Sequence, residues 1–200
     1  MKVEEPDISG TYTYSDYLTW QWDEMTELIK GKIFKMSPAP SSTHQKISGR
    51  LFLGIGNFLE GKKCQVFAAP FDVRLPVSKK QKADKEITTV VQPDLCVVCD
   101  PSKIDERGCL GAPDWVIEIL SMYTSSKDLN DKFEVYEEAG VKEYWVVHPQ
   151  EQTLLIYTLD ENGKYKGQLK PFVRTDKVSP VALPGLTIDL HRIFPEESPA

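Results

Sequence analysis

Apolar positions recur along this chain in two rhythms, and the switches between them mark its elements. Trp115-Val116-Ile117-Glu118-Ile119-Leu120, entered through Pro113-Asp114, is almost continuously apolar and rich in branched and aromatic side chains, the pattern of a core strand. Val90-Val91-Gln92-Pro93-Asp94-Leu95-Cys96-Val97-Val98-Cys99 repeats it. Residues 27–36 read as two short strands about a tight Lys30-Gly31 turn. Residues 63–67, 71–75 and 143–147 read as further strands, and 153–157 with 164–169 as a hairpin around Glu161-Asn162-Gly163. A last strand-like segment falls at 181–190, and 100–113 reads as a loop.

Helical spacing takes over in three places. A short helix is expected over 15–22, with Tyr17, Leu18 and Trp20. Ser41-Ser42-Thr43 supplies N-cap chemistry for a helix beginning near His44, in which Ile47, Leu51, Ile55 and Phe58 recur. A third helix runs from about 126 to 139 and is stopped by Gly140. Residues 1–10 read as a loose terminus. With no internal repeat, linker or low-complexity block, the chain reads as a single α+β domain over 1–200.

Two strands carry one acid each, Asp94 and Glu118. An ionised carboxylate in such a run is costly unless a cation or strong hydrogen bonds compensate it. Alternation puts Val116, Glu118 and Leu120 on one face and Trp115, Ile117 and Ile119 on the other, while Asp94 shares a face with Cys96 and Val98. Two such acids suit a hard divalent cation; each could also sit solvated at a strand end.

The third helix adds a cation. On a wheel of about 100° per residue, Leu129, Phe133 and Tyr136 form an apolar stripe, and Lys132 falls inside it. Asp128 lies near the stripe's edge, and two readings follow. Lys132 could pair with Asp128 at the helix rim, or its ammonium could point at the anion that the strand acids also face. Because the helix follows the Glu118 strand directly, it should pack back near Glu118.

Composition narrows the class. The chain has 200 residues, 40% hydrophobic and 27% charged, ordinary values for a globular protein with a real core. No apolar run approaches a membrane span and the first ten residues lack a signal-peptide pattern, so no membrane partner and a cytoplasmic setting are expected. There Cys64, Cys96, Cys99 and Cys109 should stay reduced. Cys96 and Cys99 have zinc-knuckle spacing, but residues three apart on a strand face opposite ways and cannot easily chelate one ion. The net charge of −6 argues against a dedicated non-specific nucleic-acid binder. It leaves room for a local basic patch, and Lys79, Lys80, Lys82 and Lys85 are the candidates for phosphate contact, with a solvated hairpin tip as the plainer reading.

Gln92-Pro93-Asp94-Leu95, then Gly111-Ala112-Pro113-Asp114 leading into the Glu118 strand and Ser121, then Asp128 with Lys132 and Tyr136 at four-residue steps, then Gly140-Val141-Lys142-Glu143-Tyr144-Trp145 resemble the Uma-two family of endonucleases, in the restriction-endonuclease-like, PD-(D/E)xK superfamily. Glu27-Leu28-Ile29 with Gly31, and Pro184-Gly185-Leu186, extend the resemblance over nearly the whole chain. It implies an αβββαβ core, a mixed sheet flanked by helices, with extra N-terminal and C-terminal strands. It further implies Mg²⁺, with Mn²⁺ as a substitute, bound by Asp94, Glu118 and the Ile119 carbonyl, and DNA as the partner. The ion would activate water and neutralise charge on the phosphodiester. The superfamily's nominal lysine position, two residues after the acid, is here Leu120, so Lys132 is the natural replacement, stabilising the transition state electrostatically. His44, Asp72, Asp128 and Tyr136 are auxiliary candidates: His44 and Asp72 as further site members, Asp128 as the helix-rim partner of Lys132, Tyr136 as the residue that fixes the lysine or lines the cleft. Lys132→Met is expected to abolish cleavage while leaving folding and metal binding largely intact.

Two rivals stand beside a Mg²⁺-dependent DNA endonuclease. One is a non-catalytic nucleic-acid or protein interaction module that keeps the fold, consistent with Leu120 and the acidic charge; the other is a metal-dependent hydrolase of a different phosphate ester. A two-fold homodimer is expected because it is the commonest assembly.

Overall fold

In the computed structural model, the described residues are 9–20, 25–35, 40–77, 83–121 and 126–194. In chain order they form α1 (Tyr14–Tyr17), β1 (Thr26–Ile29), β2 (Lys32–Lys35), α2 (Ser42–Leu59), β3 (Gln65–Ala68), β4 (Val73–Arg74), β5 (Val90–Val91), β6 (Leu95–Val98), β7 (Ile104–Asp105), β8 (Gly108–Leu110), β9 (Trp115–Ile119), α3 (Ser126–Ala139), β10 (Glu143–His148), β11 (Thr153–Leu159), β12 (Tyr165–Gly167), β13 (Phe172–Val173), β14 (Lys177–Val178), β15 (Ile188–Asp189) and α4 (Leu190–Ile193). Short 3-10 turns occupy Asp84–Glu86 and Pro101–Lys103.

The principal sheet runs β12-β11-β10-β9-β6-β3, with β13 also paired to β11. β9 and β10 are parallel, joined through α3, while β3, β6 and β9 pair antiparallel. The order α2-β3-β6-β9-α3-β10 is the αβββαβ core. A second sheet, β2-β1-β5-β4-β8-β7, covers one side of it, and β14 pairs with β15 in a small third sheet.

Alternation along β9 divides the interior. Trp115, Ile117 and Ile119 enter the larger cluster, packed against Ile47, Leu51, Ile55 and Leu59 of α2 and the C-terminal Leu186, Ile188 and Phe194. Val116 faces the other way, with Cys96, Val98, Tyr136, Tyr144 and the second sheet's Ile29, Val73 and Val91. Glu143, buried in β10, accepts Trp145 Nε1–H and the Ala182 amide, both at 2.7 Å, and so ties the C-terminal segment to the sheet. Burial raises the Glu143 carboxyl pKa against these bonds.

Boundaries explain themselves locally. Ser41 Oγ accepts the His44 amide and caps α2, placing its start two residues ahead of His44. Leu59 is the buried residue at its end, with Phe58 only partly covered and the Lys62 ammonium 3.0 Å from its ring centroid. Gly140 has φ +83°, the left-handed conformation that stops α3 where the sequence predicts.

Several expectations are corrected. The first helix is only Tyr14–Tyr17. Residues 100–113 contain the β7–β8 hairpin, whose strands are too short for periodicity to show. The 181–190 segment is strand only at Ile188–Asp189, because Gly185 turns the chain at φ +91° and α4 follows. The cysteines are not all reduced: Cys64 and Cys99 form a disulfide, while Cys96 and Cys109 are free and buried. The cause is register. β3 pairs Gln65 with Val98, so one step outward Cys64 stands opposite Cys99.

Candidate active site

Asp94 immediately precedes β6, where Leu95 pairs with Ile117. One step further in that register places Asp94 opposite Glu118, on the face of the sheet that α3 covers. Asp94 Oδ2 accepts the Ile119 amide at 2.7 Å, which locks the carboxylate against β9. His44, in the first turn of α2, brings Nε2 to 3.1 Å from Asp94 Oδ1. Burial pulls the His44 pKa down, but the Asp94 bond and charge and a hydrogen bond with the Ile119 backbone outweigh it, leaving a net rise. Its Nδ1 is buried without a partner among the described residues.

Glu118 lies on β9 and receives two donors at Oε1: Lys132 Nζ at 3.0 Å and the Tyr136 hydroxyl at 2.7 Å. Lys132 and Tyr136 are one helical turn apart on α3, so both descend on the same acid. Lys132 Nζ is also 2.9 Å from Glu27 Oε1 on β1, and that oxygen accepts the Gln92 amide at 2.7 Å. The second sheet therefore closes the cluster from above. Side-chain exposures are 14% for Lys132, 9% for Glu118 and 5% for Glu27, so these are buried charges held by one another.

The electrostatics follow from that burial. Removal from water raises the Glu118 pKa, Lys132 opposes the rise, Asp94 and Glu27 add to it, and the result is about 7. Burial alone would lower Lys132, but Glu118 and Glu27 overcome it and keep the ammonium protonated. Burial, then the Glu118 and Glu27 charges, raises the Tyr136 hydroxyl well above its ordinary value, which keeps it a donor.

The sequence candidates are distributed as follows. Asp94, Glu118, Lys132, His44 and Tyr136 converge, with Lys132 reaching Glu118 from α3. The Ile119 backbone meets both Asp94 and His44. Asp72 does not enter the cluster; it is bound by Gln92 Nε2 at 2.8 Å and the Tyr17 hydroxyl at 3.2 Å and connects only through Gln92. The side chain of Asp128 and all of Lys79, Lys80 and Lys82 lie outside the described residues, while Lys85 sits exposed in the Asp84–Glu86 turn. Sequence reasoning missed Glu27 and Gln92 as site members. Glu27 carried the signal already used for Glu118, an acid within an otherwise apolar strand.

The donors suit a hard cation, since Asp94, Glu118 and the Ile119 backbone offer oxygens. Among the described residues no group of three His, Cys, Asp or Glu side chains could enclose a metal.

The αβββαβ core, with opposed acids on adjacent strands and a lysine brought over one of them, defines a restriction-endonuclease-like fold. The chain belongs to the Uma2 family, described as "Putative restriction endonuclease", whose profile matches residues 14–191. It is 26% identical over 153 residues to "Uncharacterized protein slr1290" of Synechocystis sp. (strain ATCC 27184 / PCC 6803 / Kazusa), covering 75% of each chain. It shares its fold with the crystal structure of a "putative nuclease belonging to DUF820" from Anabaena variabilis ATCC 29413. There the TM-score is 0.71 at 22% identity, covering 92% of this chain and 97% of that one.

Proposed function

We propose that this protein is a Mg²⁺-dependent endonuclease hydrolysing DNA phosphodiester bonds, with Mn²⁺ able to substitute. The observation that carries the reading is the placement of Asp94 opposite Glu118 with Lys132 bound to Glu118 at 3.0 Å.

Asp94 and Glu118 hold the ion, with the Ile119 carbonyl as a further oxygen. The ion, when bound, supplies water activation and charge neutralisation on the phosphodiester. Lys132 has three N–H donors, of which two are committed to Glu27 and Glu118. The third is free to meet a phosphate oxygen, where it stabilises the charge that develops in the transition state. Glu27 is a positioning residue: it keeps the ammonium from swinging toward solvent. Tyr136 fixes the orientation of Glu118, and His44 does the same for Asp94. Lys79, Lys80, Lys82 and Lys85 contact the phosphate backbone of the substrate. A two-fold dimer would offer two such sites to a duplex, and sedimentation reports the assembly directly.

The test is plasmid cleavage in Mg²⁺ or Mn²⁺ by wild type, Asp94→Asn and Glu118→Gln, beside calorimetric ion binding. Metal-dependent nicking that disappears in both variants, together with ion binding, is expected. A second reading, a binding module that retains the fold, is favoured by the way two of the three Lys132 donors are committed to buried carboxylates. Ion binding without cleavage of any DNA would select that reading, and absence of both would end the metal-site argument.

A further inference from the structure

The inner side of α2 buries Ile47, Leu51, Ile55 and Leu59, while Lys46, Gly49, Arg50, Leu53, Asn57 and Glu60 are exposed on the opposite side. At about 100° per residue these six fall within about 60° of a line centred on Leu53. Leu53 is 63% exposed. One exposed leucine is ordinary on a protein surface. Here the apolar surface continues from it into a groove of about 340 Å³ between α2 and the C-terminal segment, walled by Leu51, Leu186, Ile188 and Ile193. Beside Leu53 the helix backbone is open to close approach, since a Cβ built on Gly49 or Gly54 would meet nothing within 4 Å.

The charges on this side point to the occupant. Lys46 and Glu60 are about 21 Å apart along the helix, too far to pair with each other. Neither has another partner among the described residues. They stand seven residues before and seven residues after Leu53. An antiparallel copy of α2 with Leu53 on the two-fold axis therefore sets Lys46 of each chain against Glu60 of the other. The same symmetry sets Arg50 against Gly56 and Asn57 against Gly49, a larger side chain facing a glycine each time, and Leu53 against Leu53.

The helix dipole favours the same arrangement. Glu60 caps α2 at its negative end, where an acid is disfavoured. In an antiparallel pair it lies beside the first turns of the other helix, at the positive end, where an acid is favoured.

We propose that the outer side of α2 is the two-fold interface of a homodimer, an antiparallel helix pair centred on Leu53. The inference rests on the two-fold assembly given in the proposed function and names its surface; it needs nothing of the nuclease chemistry. α2 packs on the sheet face opposite the one that carries Glu118 and α3, so the pair leaves both carboxylate clusters uncovered.

The experiment is sedimentation velocity over a concentration series at low salt, with wild type, Leu53→Asp, Lys46→Glu, Glu60→Lys and an equimolar mixture of the last two. Wild type should dimerise. Leu53→Asp should weaken association about thirty-fold or more, since a central apolar contact is lost and two like charges meet. Lys46→Glu and Glu60→Lys each set like charges opposite one another at two places and should weaken association on the order of tenfold, an effect that fades with added salt. Mixed together, these two variants present opposite charges at both contacts and should associate as wild type does. A dimer through another face, or a partner of different sequence, does not produce that restoration. A wild type that stays monomeric overturns the proposal and the two-fold assembly while leaving metal-dependent cleavage untouched. A dimer unmoved by the substitutions, or weakened variants that mixing does not restore, overturns α2 as its surface. All three side chains are exposed, so each variant should keep the wild-type urea midpoint, and the charge exchange carries the test if Leu53→Asp alone does not.

Discussion

Replacing Lys132 with Met strips the ammonium from between Glu27 and Glu118 while keeping the length and apolar stem of the side chain, so little cavity is left. The sequence alone suggests that folding survives this change; burial says otherwise. The two carboxylates are 5% and 9% exposed, and removing one partner of a buried ion pair costs about 3–5 kcal/mol. At a urea slope of about 2 kcal/mol per molar, the unfolding midpoint should fall by about 2 M. The penalty also depends on pH. The Glu118 pKa is already raised to about 7 by burial against the pull of Lys132, and it rises further once the ammonium is gone. An acid whose folded pKa exceeds its unfolded value of about 4.3 loses stability as pH climbs between the two. The destabilisation should therefore be smaller near pH 5 and grow as pH climbs above about 7. Urea unfolding of both proteins, followed through the buried Trp115 and Trp145, measures it at each pH. Adding Glu27→Gln should recover about 1–3 kcal/mol, because one uncompensated carboxylate is removed. An unchanged midpoint at pH 8, or equal shifts at both pH values, would refute the reasoning. The catalytic loss, on the order of 10²–10³ in rate by analogy with a lost electrostatic donor, is then read on the fraction of variant shown to be folded.

Asp114 is held below the ordinary carboxylate range: burial raises it, but the Lys142 bond, the Cys99 amide and the Lys142 charge win. Its contribution is present above an unfolded pKa of about 3.9 and is lost as pH falls through the lower folded value, so Asp114→Asn should flatten the acid limb of the stability curve and cost about 1.5–3 kcal/mol at neutral pH; an unaltered acid transition would count against it. Gly108→Ala should cost at least 1–3 kcal/mol in chemical denaturation, from overpacking against the Asp72 carbonyl and strain at φ +117°; wild-type stability would contradict the packing described. Neutralising Lys79, Lys80, Lys82 and Lys85 together should reduce the dependence of log K on log salt by up to about 3.6 for duplex DNA, at roughly 0.9 per phosphate contact; an unchanged slope would return the run to a solvated loop. The intact mass without reductant should be lighter by two hydrogens than after reduction, reporting the Cys64–Cys99 bond; equal masses would exclude it.

The strands around Glu118 and 143–147 were legible because each is a largely apolar run, and α3 because its apolar stripe has helical period and ends at a glycine; the run read as one strand over Val90–Cys99 instead divides at Gln92-Pro93-Asp94 into β5 and β6, which join different sheets, because a proline cannot donate to a ladder. The same periodicity singled out Lys132, since a cation inside an apolar stripe must find an anion. What the chain could not reveal was which anion. Local patterning fixes the face a side chain occupies; register and sheet order fix its neighbour. Register set Asp94 opposite Glu118, and it set Cys64 opposite Cys99 against the expectation of free thiols. Sheet order brought β1 across the cluster, so that Glu27, 105 residues before Lys132 in sequence, became its second partner. Gln92 counted only as part of a family motif and gave no chemical signal of its own, because a glutamine before a proline is ordinary until the tertiary structure buries its side-chain oxygen without a partner among the described residues. Sequence thus determined the elements and the charged residues inside them, which depend on neighbours a few positions away. Tertiary structure alone decided the ion cluster and the disulfide, which depend on strands meeting from distant parts of the chain.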